Sequence, residues 1–236
     1  MTSANHAPSV LDSALEQDFL RFALKADVLR FGEFKTKAGR LSPYFFNAGL
    51  FRTGDLIAEL SGFYARCFLG AVQAKVFQAG ILFGPAYKGI PLAATTAMAL
   101  SQHGLNLGFS FNRKEAKDHG EGGVIVGASL EGQDVVIIDD VISAGTSVRE
   151  SVAMIHQAGG RPAGVLIALD RMEKGGTAEQ PAAVSAVQEV RQTLGLPVVA
   201  IAGLEGLLGL LDTSTDSQLR NHWQAVDDYR RAWGCS

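Results

Sequence analysis

The chain has 236 residues and a formal net charge of −3, and 47% of its residues are hydrophobic while 19% are charged. This composition is typical of a globular protein of one or two domains and excludes a largely disordered chain. The slightly acidic charge argues against binding to nucleic acid or to an anionic membrane surface. The two cysteines, Cys67 and Cys235, exclude a disulfide framework and a zinc cluster, and they favour a reducing cytoplasm.

The sequence offers no segment that predicts insertion into a membrane or secretion. The most apolar long stretch, residues 90–100, is shorter than the roughly 20 residues that a bilayer requires. The first residues, MTSANHAPSV, have neither a basic start nor an apolar core, so a secretory signal is not expected.

The N-terminal part of the chain predicts a tail, two helices and a pair of strands between the helices. Residues 1–12 are expected to form a flexible tail. Apolar side chains recur at helical spacing over residues 13–30 and predict an amphipathic helix there. Aromatic segments between residues 31 and 47, broken by a glycine and a proline, predict two short strands around a turn. Residues 56–69 are expected to form a second helix.

The middle of the chain alternates between buried strands and helices. Apolar runs that predict strands are Ile81–Phe83, Val124–Val126, Val135–Ile138, Val165–Leu169 and Val198–Ala202. Helical patterns cover Gly89–His103, Thr146–Ala158 and Ala182–Leu194, and Leu219, Trp223, Val226 and Trp233 mark a last helix. This alternation predicts an α/β fold with a central, mostly parallel sheet flanked by helices. Without repeats or a linker, residues 13–236 are expected to form a single domain.

One buried strand is followed by the pattern of a phosphate-binding loop. Strand Val135–Ile138 is followed by Asp139 and Asp140, then by the small residues Ser143–Ser147, and a helix begins near Thr146. Ligands bind at the carboxyl ends of strands in an open parallel sheet, and a helix N-terminus favours an anion. Carboxylates suit sugar hydroxyls, so the combination predicts a phosphorylated sugar. The alternative is that the acids begin a turn and a hydroxyl caps the helix.

This segment resembles the signature of the phosphoribosyltransferases, which bind 5-phosphoribosyl 1-diphosphate (PRPP). Three further segments, residues 31–49, 82–91 and 111–123, resemble the orotate phosphoribosyltransferase family, and the likeness runs over about residues 13–213. The resemblance implies a type I phosphoribosyltransferase fold in which residues 13–50 form a small N-terminal hood over the base. It also implies transfer of phosphoribose from PRPP to orotate in a cytoplasmic homodimer. Mg²⁺ is the implied cofactor, held mainly by substrate oxygens and water rather than by protein ligands.

The resemblance also assigns site residues. The residues implied in PRPP binding are Lys37, Tyr87, Lys88, Arg113, Lys114, Lys117, His119, Asp139, Asp140, Val141, Ile142, Ser143, Ala144, Gly145, Thr146 and Ser147. The catalytic residues implied are Lys37, Arg113, Lys117, Asp139 and Asp140, and those for orotate are Phe45, Phe46, Ser143 and Arg171. Lys37 and Lys114 are implied to contribute across the subunits of the dimer.

Several of these residues have a plain structural interpretation as well. The cationic segment from Arg113 to His119, followed by glycines, predicts a mobile lid, although its acidic residues would also fit a solvated loop. Phe45 and Phe46 are strand neighbours that face opposite ways, so one is expected in the core. Arg171 offers a fork for the carboxylate of orotate, or it pairs with Asp170. An unusual peptide geometry is hypothesised in the Gly84-Pro85 turn.

Two other functions fit parts of the pattern. A phosphoribosyltransferase for another base, such as a purine, would share the phosphate loop but not the segments around Phe45 and Arg113. A regulator that senses PRPP without catalysis would be expected to lack the cationic lid or to carry a DNA-binding appendage, and residues 1–30 are not strongly basic.

Overall fold

The computed structural model describes residues 12–117 and 123–235, with the side chains of 115–117 and 123 excluded. Its strands are β1 (Leu29–Lys35), β2 (Leu41–Phe46), β3 (Ile81–Gly84), β4 (Gly108–Lys117), β5 (Gly123–Gly127), β6 (Asp134–Asp139), β7 (Arg161–Asp170), β8 (Lys174–Gly176), β9 (Pro181–Ser185) and β10 (Val198–Gly203). Its helices are α1 (Ser13–Lys25), α2 (Gly54–Gln73), α3 (Gly89–Gln102), α4 (Thr146–Gln157), α5 (Ala186–Leu194), α6 (Leu204–Thr213), α7 (Ser217–Arg220) and α8 (Trp223–Trp233). The predicted tail, residues 1–12, lies outside the described residues except for Asp12, which caps α1.

A six-stranded sheet in the order β10-β7-β6-β3-β4-β5 forms the centre of the fold. Its strands are parallel except β5, which runs antiparallel to β4. The predicted α/β fold with a mostly parallel sheet is therefore confirmed. Within the described ranges, no helix is long and apolar enough to cross a membrane.

Strand β6 is buried on both faces, which explains its unbroken aliphatic sequence. Val136 and Ile138 pack into the larger apolar cluster, with α1, α2 and α3, while Val135 and Ile137 pack into the smaller cluster with α4 and α5. Because successive side chains of a strand point to opposite faces, each face needs its own apolar residues. This packing fixes the position of the carboxyl end of β6, where the acidic pair lies.

The first helix is shorter than its apolar pattern predicts. It ends at Lys25, and Asp27 takes a left-handed conformation with φ +57° that turns the chain into β1. Leu29, expected on the helix, instead pairs with Phe46 across the β1–β2 hairpin and is buried there. The prediction of a helix over 13–30 is wrong at its end because strand pairing buries Leu29 equally well. The two predicted strands between residues 31 and 47 are confirmed as β1 and β2.

Other elements also differ from the predicted ones. The helix expected over Ala182–Leu194 begins at Ala186, because residues 181–185 pair with β8 as strand β9. The last helix is divided into α7 and α8. Strand β4 was not predicted, and residues 111–117 of the expected lid belong to it. Its charged outer half pairs with β5, with a register shift between Asn112 and Lys117.

The start of α5 depends on a reciprocal cap. The hydroxyl of Ser185 accepts the backbone N–H of Gln188 at 3.1 Å, and the Gln188 side chain accepts the N–H of Ser185 at 2.9 Å. We expect Ser185→Ala to lower the free energy of unfolding by about 1 kcal/mol because the part-buried N–H of Gln188 loses the hydroxyl of Ser185 as an acceptor. Urea unfolding measures this difference. Ser185→Thr keeps a hydroxyl, so its free energy of unfolding should fall by less than half as much. Equal losses of stability in the two variants would contradict the cap as the cause.

Candidate active site

Two adjacent carboxylates lie at the carboxyl end of β6. Asp139 and Asp140 are 9% and 6% exposed, and both accept local backbone N–H groups. The Nζ atom of Lys88 lies 2.7 Å from a carboxylate oxygen of Asp140. The hydroxyl of Ser147 donates to the other acid, Asp139, at 3.2 Å. The acidic pair is thus held from two sides, by the start of α3 and by the start of α4.

Burial raises the pKa of Asp139 to about 7, and the neighbouring charge of Asp140 adds to the shift. The hydrogen bonds from the Asp140 N–H and from Ser147 act in the opposite direction and are smaller. A carboxyl with this pKa exchanges its proton near neutral pH, so its charge responds to any cation or hydroxyl that binds beside it.

Asp139 is expected to make the stability of the free protein decrease as the pH rises. The pKa of its carboxyl is near the ordinary value of 3.8 in the unfolded chain but about 7 in the folded one, so unfolding is increasingly favoured as the pH rises between these values. Asp139→Asn cannot ionise. Its stability relative to the parent should therefore be greater at about pH 8 than at about pH 5, by at least roughly 1 kcal/mol.

Urea unfolding of the two proteins at both pH values measures this effect. Asp212→Asn, at an exposed carboxylate of α6, controls for the loss of one charge. A difference between parent and Asp139→Asn that is the same at both pH values would contradict the assigned ionisation.

The loop between the acidic pair and α4 presents unpaired backbone donors. Among the described residues, no acceptor is found for the N–H groups from Ile142 to Ser147. Gly145 precedes α4 with φ +68° and ψ 0°, a left-handed conformation that glycine adopts without a steric penalty. Converging N–H groups at a helix N-terminus form a site for an anion such as phosphate. The loop Val141–Ser147 therefore offers backbone donors directly beside Asp139 and Asp140.

The turn between β3 and α3 brings a second set of predicted residues to the acidic pair. A Cβ built on Gly89 would lie 2.8 Å from the carbonyl carbon of Gly84, so the two backbones touch where the turn closes. The turn contains one cis peptide bond, between Ala86 and Tyr87. Tyr87 is exposed, and the Nζ atom of Lys114 lies 4.9 Å from the centroid of its ring. The contact with Asp140 thus holds Lys88 at the carboxyl end of the sheet. Lys114 contacts Tyr87, the residue before Lys88.

The remaining cationic candidates are less closely connected to the acidic pair. Lys37 is exposed on the turn between β1 and β2, and no contact among the described residues joins it to the acidic pair. Arg113 is half-buried on β4. Lys117 ends β4, and nothing is described of its side chain. His119 lies outside the described residues.

Arg171, predicted to bind orotate, follows β7 and is held by Glu173 rather than by Asp170. Its Nη2 and Nε atoms lie 2.6 Å and 2.8 Å from a carboxylate oxygen of Glu173, and Nη2 also donates to the hydroxyl of Ser42 at 3.1 Å. The guanidinium carbon lies 4.8 Å from the centroid of the Tyr44 ring. The alternative pairing with Asp170 is wrong because that carboxylate accepts the N–H of Met172 instead.

The two phenylalanines divide as expected for strand neighbours. Phe46 is buried in the larger core cluster, 6.3 Å from the ring centroid of Phe19. Phe45 is half-buried and stacks on Phe34 across the hairpin, with ring centroids 5.3 Å apart. Phe45 is therefore the member of the pair that remains available to a planar ligand, while Phe46 anchors β2 to the body of the protein.

Sequence reasoning missed several residues that hold the site from a distance. Fully buried Tyr64 of α2 donates its hydroxyl to the carbonyl of Asp139 at 2.8 Å. Asn112 accepts the N–H of Ala86 at 2.8 Å and ties β4 to the turn after β3. Arg149, in the first turn of α4, contacts the phosphate loop. Of these, only Arg149 carried a sequence signal, since it lies within one helical turn of Thr146.

Comparison with known proteins identifies the family. The model of the phosphoribosyl transferase domain matches residues 69–192. An orotate phosphoribosyltransferase from Cupriavidus necator is 61% identical over 220 residues, which cover 93% of this chain and 95% of that protein. The chain belongs to the orotate phosphoribosyltransferase family. The resemblance found in the sequence motifs is thereby confirmed.

Other members of the family agree over nearly the whole chain. The orotate phosphoribosyltransferase of Chromobacterium violaceum is 60% identical over 222 residues, covering 94% of this chain and 98% of that protein. The crystal structure of the Francisella tularensis orotate phosphoribosyltransferase is 37% identical, with a TM-score of 0.79, and the alignment covers 92% of this chain and all of that chain. As a member of this family the chain is a transferase with the type I phosphoribosyltransferase fold.

Proposed function

We propose that the chain transfers the 5-phosphoribosyl group of PRPP to orotate, giving orotidine 5′-monophosphate and pyrophosphate, a step of pyrimidine nucleotide synthesis. The observation that carries this proposal is the acidic pair Asp139–Asp140, followed directly by a loop of unpaired N–H groups at the end of a central strand. Such a site can hold the 5-phosphate and the ribose hydroxyls of one sugar phosphate at the same time.

In the proposed reaction N1 of orotate attacks C1 of the ribose as pyrophosphate leaves. The bond from C1 to the diphosphate oxygen breaks while the bond from C1 to N1 forms, and positive charge develops on the ribose. No covalent nucleophile is needed, because orotate is anionic and neutralised pyrophosphate is a good leaving group. Catalysis then consists of positioning and electrostatic stabilisation. In this proposal Asp139 and Asp140 stabilise the developing positive charge.

The diphosphate half of the substrate requires cations. Lys88 lies beside the acidic pair, and Lys114 of β4 lies over the ring of Tyr87, the residue before Lys88. Arg113 precedes Lys114 on β4 and belongs to the proposed set. Lys37, Lys117 and His119 complete the proposed set. The carboxylates of Asp139 and Asp140 are oxygen donors and fit a Mg²⁺ ion that keeps several waters and substrate oxygens. Mg²⁺ would neutralise the diphosphate. Among the described residues, no cluster of three or more metal-ligating side chains is found.

The orotate half is assigned to Arg171, Phe45, Phe46 and Ser143. Glu173 and Ser42 occupy the Nε and Nη2 atoms of Arg171, which leaves its Nη1 atom without a hydrogen-bond partner among the described residues. That atom is available for the carboxylate of orotate. Phe45 is the half-buried ring of the pair and suits the pyrimidine face, whereas Phe46 would act through the backbone and the core.

We further propose a cytoplasmic homodimer in which Lys37 and Lys114 reach the partner's site, and a single domain over residues 13–236. Both lysines are exposed, and neither forms an ion pair with a described residue. Cys67 and Cys235 are free thiols, which suits a reducing compartment.

The loss of orotate absorbance on adding PRPP and Mg²⁺ tests the reaction. A magnesium-free mixture is the control, and hypoxanthine and adenine replace orotate in parallel mixtures. Turnover of orotate alone supports the proposal. Turnover of a purine base would contradict the proposal and would indicate a phosphoribosyltransferase for that base instead. PRPP binding without turnover of any base would indicate a regulator.

A further inference from the structure

The phosphate loop contains no cation. Its residues Ser143–Ser147 are small or hydroxylic, so it can hold a phosphate only through hydroxyls and through backbone N–H groups that point in the right direction. The direction of each N–H depends on the orientation of its peptide plane. Something outside the loop must fix that orientation where glycine leaves the backbone free to rotate.

Arg149 contacts the loop at this point. Its Nη2 atom donates to the carbonyl of Ala144 at 2.8 Å and to the hydroxyl of Thr146 at 3.3 Å. Its Nη1 atom forms an ion pair with Glu189 of α5 at 3.1 Å. The guanidinium therefore joins three elements: the phosphate loop, α4 and α5.

The guanidinium lies on the α5 side of the loop. A Cβ built on Gly145 would lie 2.9 Å from Nη1 of Arg149 and 3.5 Å from the side chain of Val190. Gly145 is thus required both for its left-handed conformation and for the space that Arg149 occupies. In a trans peptide the C=O and N–H groups point in opposite directions. By holding the Ala144 carbonyl from the α5 side, Arg149 keeps the Gly145 N–H pointing to the side opposite α5.

We propose that Arg149, anchored by Glu189, is a positioning residue that fixes the Ala144–Gly145 peptide plane so that the Gly145 N–H donates to the substrate's 5-phosphate. The inference rests on the proposed function, because it takes the bound anion to be that phosphate. Arg149 acts through the loop and does not itself contact the substrate.

Two ligands that each fill one half of the proposed site test this role. Ribose 5-phosphate occupies the phosphate loop, and inorganic pyrophosphate occupies the diphosphate region, so each is measured as an inhibitor competitive with PRPP. Arg149→Met should weaken inhibition by ribose 5-phosphate by about tenfold, the equivalent of one hydrogen bond to a charged group. Inhibition by pyrophosphate should change less than about twofold. Glu189→Gln should also weaken inhibition by ribose 5-phosphate, but by a smaller factor than Arg149→Met.

Arg149→Lys serves as the conservative variant, since its ammonium can still donate to the Ala144 carbonyl and should recover part of the lost inhibition. Arg161→Met removes another ion-paired arginine, 2.7 Å from Asp134 at the opposite end of β6, and should leave both ligands unaffected. The proposal would be overturned if Arg149→Met weakened inhibition by both ligands equally, or if it weakened inhibition by neither. If the parent protein neither binds ribose 5-phosphate nor converts orotate, the proposed function fails as well, and that result is read from the parent alone.

Discussion

Gly145→Val is expected to lower kcat/KM for PRPP by at least about 100-fold, because the phosphate loop can no longer keep its conformation. Gly145 has φ +68°, where a side chain costs about 1–2 kcal/mol and a β-branched one costs more. The new Cβ would also lie 2.9 Å from the guanidinium of Arg149. Either the loop or the end of the Arg149 side chain must shift, and a change in the loop would turn its N–H groups away from the proposed phosphate. Steady-state kinetics with varied PRPP measure the change.

The matched control is Gly132→Val, in the turn before β6. Gly132 has φ +70°, and a Cβ there would meet no atom within 4 Å, so this variant has the same backbone strain at the opposite end of the strand. It should lose stability but keep its kcat/KM for PRPP within about threefold. If both variants lose catalytic efficiency equally, the effect comes from general destabilisation and the phosphate assignment of the loop loses its support.

Arg171→Met is expected to affect both stability and orotate recognition. The side chains of Arg171 and Glu173 are 21% and 15% exposed, so removal of the guanidinium leaves a largely buried carboxylate without its partner. The free energy of unfolding should fall by about 3 kcal/mol. kcat/KM for orotate should fall by about 100-fold, because the proposed contact with its carboxylate is lost. Urea unfolding and initial rates at varied orotate measure the two effects.

A double variant separates these two consequences. Arg171→Met with Glu173→Gln removes both charges, so most of the lost stability should return. Orotate recognition should not return, because the guanidinium is still missing. Recovery of both properties together would show that Arg171 only maintains the fold, and its assignment to orotate would then be wrong.

The parts of the fold and site that could be predicted are those whose signals are local. The strand Val135–Ile138, the acidic pair and the small-residue loop follow one another within a short segment, and each has a distinct physical signature. Strand β4 carried no such signature, because its outer half is polar and its pairing with β5 depends on a distant segment. The end of α1 was predicted too late because Leu29 satisfies a helical spacing and a strand pairing equally.

The supporting contacts of the site could not be predicted because they join distant parts of the sequence. Tyr64 reaches the carbonyl of Asp139 from α2, and no pattern around Tyr64 indicates a hydroxyl at that position. Asp170 was the alternative partner considered for Arg171, because it is the preceding residue in the chain. A left-handed Met172, with φ +51°, gives its N–H to Asp170, and Arg171 takes Glu173 instead.

The ion pair between Lys88 and Asp140 has a consequence for the order of binding. The Lys88 side chain is 57% exposed while that of Asp140 is 8% exposed. The ammonium is therefore accessible to other anions, whereas the carboxylate is largely shielded from solvent. A diphosphate bound as proposed would compete for the ammonium and weaken its contact with Asp140. The carboxylate would then be a free acceptor for the proposed sugar hydroxyls. Lys88 would in this way exchange its counterion when the substrate enters.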